Sequence, residues 1–123
     1  MKTLKMLSLL TIVCFSSFSF AQVMEPSKQF HHVLLFKWAD SLNISAKNEV
    51  MTLFKELPSK VEGFNNINIL DLAMSSDGFD TLFIMRFASK EAQDIYQQHP
   101  DHKRIQAIAP PLVAKFSEFD YWE

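Results

Sequence analysis

The segment Tyr96-Gln97-Gln98-His99-Pro100-Asp101-His102 gathers three rings that can exchange protons or bind a metal. Tyr96 and His99 are three apart, which puts them on one face of a helix. Pro100 then turns the chain and leaves His102 about one turn further along. These three side chains are candidate site residues. Imidazole titrates near neutrality and a phenol can donate to a developing oxyanion, so the set suits acid–base work on a small molecule. The same residues admit a plainer arrangement, with the Tyr96 hydroxyl in solvent and the two imidazoles bonded to backbone carbonyls at a bend. Metal binding is not expected, because His99 and His102 across a proline, even with Asp101, make a poor chelate. His31 and His32 are adjacent in an extended run and point to opposite faces, so they cannot act together. Asp71, Asp77 and Asp80 fall at strand ends and a turn, where solvation accounts for them. A phosphate loop, a nucleophile elbow and a dinucleotide fingerprint are all missing, and no cofactor is expected.

The elements that must position these rings can be read from periodicity. Phe30 to Trp38 is β-branched, aromatic and nearly continuous in apolar character, as a strand requires. Asn43 or Ser45 can cap a following helix, in which Val50, Leu53, Phe54, Leu57 and Val61 recur on one face until Pro58 ends the regular turn. Phe64 to Ala73 reads as a second strand, with Ile67 and Ile69 on one face and Leu70 and Leu72 on the other. Ser75-Ser76-Asp77-Gly78 is turn chemistry, and Phe79 to Ala88 completes a hairpin. Ser89 caps a helix carrying Ala92, Ile95, Tyr96 and His99 on one face. A further helical stretch runs from Asp101 to Ala109, and Leu112 to Trp122 is the last strand. The order β-α-β-β-α-β is that of a ferredoxin-like α+β fold.

Composition narrows the function classes. The chain has 123 residues, 48% hydrophobic and 21% charged, with a formal charge of −2, so it is one globular domain with no basic surplus for nucleic acid. Residues 1–21 read as a signal peptide. Lys2 and Lys5 precede an apolar run from Met6 to Phe15, and Ser19 and Ala21 supply small residues before a cut ahead of Gln22. The single cysteine, Cys14, lies deep in that run behind Val13 and does not suit a lipoprotein site. The expected mature chain, Gln22 to Glu123, is exported to the periplasm or medium, has no cysteine and needs no membrane. Residues 22–29 look loose, and residues 30–122 form the domain.

The strands also imply a partner. A sheet with helices on one face should alternate apolar and polar if its other face meets water. Val33-Leu34-Leu35-Phe36 and Leu82-Phe83-Ile84-Met85 are apolar on both faces, so a second copy of the same sheet is expected to cover the open one.

His32-Val-Leu-Leu-Phe-Lys37, Leu57-Pro58, Gly78-Phe79-Asp80, Phe87-Ala-Ser89, the Tyr96-to-His102 run and Phe119-Asp120-Tyr121 together resemble the stress-responsive A/B barrel (Dabb) family, from Phe30 to Trp122. The resemblance implies a dimeric α/β barrel of two ferredoxin-like sheets packed face to face. It also implies a loose link to stress responses. One plant branch, similar to olivetolic acid cyclase, closes a linear polyketide with a tyrosine and a histidine of the second-helix motif. Carried over by position, these are Tyr96 and His102, with His32 and His99 as further pocket residues.

Two functions are therefore expected. The first is an exported dimeric barrel that binds a small apolar or aromatic molecule. The alternative is a cofactor-free cyclase or lyase using Tyr96 and His102. A pocket lined by both rings favours the enzyme, and a filled core favours a binding or structural module.

Overall fold

The computed structural model describes residues 27–123; the expected signal peptide and cleavage site lie outside the described residues. The elements are β1 (Phe30–Trp38), α1 (Ile44–Glu56), β2 (Phe64–Asp71), β3 (Thr81–Phe87), α2 (Lys90–Gln98), α3 (Pro100–Ile108) and β4 (Val113–Trp122), with short 3-10 turns at Leu57–Ser59 and Pro110–Leu112. The strands form one antiparallel sheet in the order β2-β3-β1-β4. This is the split β-α-β pattern of a ferredoxin-like α+β fold.

The register separates the two faces. Phe30, His32, Leu34 and Phe36 lie opposite Phe87, Met85, Phe83 and Thr81, and all of these but His32 and Thr81 join Val50 and Phe54 of α1, Tyr96 of α2 and Ile105 of α3 in one apolar core. Val33, on the alternate face, is outside that core cluster. All three helices thus cover one face. The other carries Val33, itself buried, and presents half-buried Leu35, Leu82 and Ile84, flanked by exposed Leu70 and Phe119. Among the described residues no helix is long and apolar enough to cross a membrane.

Local chemistry sets the boundaries. Asn43, not Ser45, caps α1, its side chain accepting from the Ala46 N–H at 3.1 Å. Ser89 caps α2 in the same way through Ala92. The third strand starts later than expected because Asp80 is used at the turn, where its carboxylate accepts the Trp38 N–H at 2.9 Å. The second ends at Asp71 rather than Ala73. Gln29, at the end of the segment expected to be loose, exchanges backbone hydrogen bonds with Glu123 and carries the ladder past β1.

Candidate functional site

Because β4 is an edge strand, α1 and α3 do not fully close over it, and a cavity of about 590 Å³ opens between them and the β1–β4 half of the sheet. Its apolar wall includes Leu34, Phe36, Phe54, Ile105, Val113 and Phe116. Its polar end is built from His32, Gln97, His102, Gln106 and Glu118. The volume and the mixture of apolar walls with a few convergent polar groups are those of a small-molecule site.

Three of the four expected site residues meet at the polar end. The Tyr96 ring is 4.5 Å from the His102 ring and 6.3 Å from that of His32, centre to centre. Tyr96 is fully buried, wedged also against Phe64 and Phe87, and its hydroxyl has no hydrogen-bond partner among the described residues. Burial pushes the phenol well above its ordinary range, and the negative charge of Glu118 adds to this. Tyr96 therefore stays a neutral O–H donor. It stands behind His102 and His32 rather than lining the cavity, so the expectation that both rings would line it is met by the histidine alone.

Hydrogen bonding orients both imidazoles. His102 Nδ1 lies 3.0 Å from the Gln97 carbonyl oxygen. A carbonyl only accepts, so Nδ1 carries the proton and Nε2 of the neutral ring is the basic atom. Burial lowers the His102 pKa against an opposing pull from that carbonyl, while His32 lowers it and Glu118 raises it further. His32 is buried, with Nδ1 2.5 Å from Asp120 Oδ1 and Nε2 3.9 Å from Glu118 Oε2. An imidazole oriented by a carboxylate on one nitrogen and facing a cavity with the other is a common arrangement for proton transfer.

His99 is placed elsewhere. Its Nδ1 accepts the Asp101 N–H at 3.1 Å, which makes it the N-cap of α3, and it is absent from the cavity lining. The reason is Pro100, which starts a new helix and leaves orphan N–H groups that need an acceptor. Asp101 accepts from Lys60 at 2.7 Å and is likewise unavailable to a histidine pair. Among the described residues there is no group of three or more His, Cys, Asp or Glu that could hold a metal ion. On α2 the buried face is Ala92, Gln93 and Tyr96, whereas Ile95 is 57% exposed. His31 does point away from His32, onto the open face, where it stacks on Tyr121 at 4.4 Å.

The residues that sequence reasoning missed are Glu118 and Asp120. Their signal was visible: Phe116, Glu118, Asp120 and Trp122 alternate along β4 on the helix-side face, and two acids on a face that ought to be apolar mark an opening. His32 pairs with Asp120 across the strands, and Leu34 with Glu118.

Comparison with known proteins agrees with this architecture. The family model described as "Stress responsive A/B Barrel Domain" matches residues 30–123. No curated protein matches the chain. A dimeric ferredoxin-like protein of unknown function from Thermobifida fusca is 24% identical with a TM-score of 0.65, the match covering 77% of this chain and 91% of that one. A Dabb family protein with a ferredoxin-like fold from Mesorhizobium loti is 24% identical with a TM-score of 0.63, covering 76% and 95%. A hydroxynitrile lyase from Passiflora edulis superposes with a TM-score of 0.70 at 13% identity, covering 80% and 95%. At these identities the likeness is one of fold.

Proposed function

The chain belongs to the stress responsive A/B barrel domain family, and on that premise we propose that it acts as an exported homodimer in which each subunit binds a small apolar or aromatic molecule. The observation that carries this reading is the cavity of about 590 Å³ with apolar walls and one polar end. A ligand of matching size takes those apolar walls out of water, which favours its binding. The dimer is supported by the uncovered apolar face and by the dimeric ferredoxin-like relative from Thermobifida fusca. Export rests on Lys2, Lys5 and the Ser19-x-Ala21 site, and a stress-linked role rests on the family description. Native mass spectrometry of protein purified from its own host tests all but the role at once. A dimer of chains beginning at Gln22, with retained small molecule released on activation, is the expected spectrum. Monomers beginning at Met1 with no bound mass would overturn it.

One observation favours a second reading, that of a cofactor-free lyase or cyclase. The Tyr96 hydroxyl is buried without a partner beside an imidazole whose Nε2 is free to accept a proton. In that reading His102 Nε2 takes the hydroxyl proton of a hydroxynitrile as the C–C bond breaks to give a carbonyl compound and cyanide, the imidazolium returns that proton to the cyanide, and Tyr96, packed behind His102, holds the ring in place. Cleavage of an aromatic hydroxynitrile that is lost in His102→Ala supports it. Equal rates for wild type and variant remove it.

A further inference from the structure

The polar end of the cavity carries an excess of negative charge. Glu118 lines it, Asp120 stands behind His32, and no Lys or Arg is among the lining residues. If His32 is protonated it neutralises one of the two carboxylates; if it is neutral, neither is neutralised. The end is net negative in both cases. The His102 Nε2 adds a further lone pair, because Nδ1 is committed to the Gln97 carbonyl. Close by, Phe116 lies 5.8 Å from Phe36, and both rings belong to the cavity wall. A carboxylate beside aromatic rings at the mouth of an apolar pocket is the chemistry that recognises an organic cation, through a charged hydrogen bond and the ring faces together. A carboxylate ligand meets repulsion at the same end.

We propose that the ligand is an organic cation: a protonated amine on an apolar or aromatic body, with its charged head at Glu118 and its body along Phe36, Phe54 and Ile105. This deepens the small-molecule reading above and rests on it.

The test uses three probes on one naphthyl body, 2-naphthylethylamine, 2-naphthylethanol and 2-naphthylacetate, titrated calorimetrically into the intact protein at pH 7. The amine is expected to bind about tenfold more tightly than the alcohol, the difference a charged hydrogen bond makes, and the acetate more weakly than either. In Glu118→Gln, a substitution at an exposed strand position, the ratio of amine to alcohol affinity should fall towards one. Binding of all three probes with equal affinity, or preference for the acetate, overturns the cation assignment and leaves the cavity reading standing. Failure of all three to bind overturns both.

Discussion

At the residue scale the site is an arrangement of protonation states held by neighbours. Tyr96 is where this is most exposed to test, because its hydroxyl is buried with no partner. An unsatisfied buried hydroxyl costs stability, so Tyr96→Phe should raise the unfolding free energy by about 1 kcal/mol in urea titration; a loss of that size would mean the hydroxyl is satisfied. His102 gives the second prediction. Its folded pKa lies below the ordinary 6.5, with burial the main cause. The unfolded chain therefore binds the proton more readily, and stability falls as pH drops through and below 6.5. His102→Gln, which cannot titrate, should lose less stability than wild type between pH 7 and 5, and parallel curves would refute the assignment. Tyr96 and His102 were legible from residue type and spacing, and His32 from the family resemblance. The alternation of Glu118 and Asp120 along β4 was visible in the sequence, but their place beside His32 was not, because strand residues reach a site only through register, and register depends on the pairing of β1 with β4.

At the element scale each boundary follows from a backbone group that needs a partner. The order of elements was legible because apolar periodicity changes from two to 3.6 wherever a cap or proline intervenes. What could not be read was whether His99 serves chemistry or structure, since one face of α2 leads into the start of α3. Its Nδ1 accepts the Asp101 N–H, so it serves structure. His99→Ala should cost about 1 kcal/mol of stability by removing the cap, and His99→Asn should restore most of it, as asparagine is a strong N-cap. Ligand retention should be unchanged in both. A variant that keeps its denaturation midpoint but loses its ligand would return His99 to the pocket. The same accounting explains Gly63, whose φ of +80° turns the chain into β2 where an added Cβ would stand 2.8 Å from Ala92 Cβ. The close approach of that turn to α2 helps hold Tyr96 over the sheet.

At the scale of the whole molecule the two faces of β1 make the argument. Leu34 and Leu35 are indistinguishable by type, and the sequence shows only that both faces are apolar. The register assigns them: Leu34 is 5% exposed in the helix-covered core, while Leu35 shares the open face with Val33, Leu82 and Ile84. Apolar area left open on a domain of this size is the part of the hydrophobic effect that a single chain does not use. A second copy facing it, as proposed, would recover that energy for both. Leu35→Asp puts a charge in the middle of this surface and should weaken self-association by roughly 3 kcal/mol, or over a hundredfold, as followed by sedimentation. The single subunit should keep its fold, because in the monomer that aspartate meets water. Leu34→Asp differs in kind, since its carboxylate would be buried against the core side of the sheet with no cation to pair with, and cooperative unfolding should be lost. The pair therefore separates association from folding. If Leu35→Asp stays dimeric with the wild-type midpoint while Leu34→Asp unfolds, the open face is not the interface.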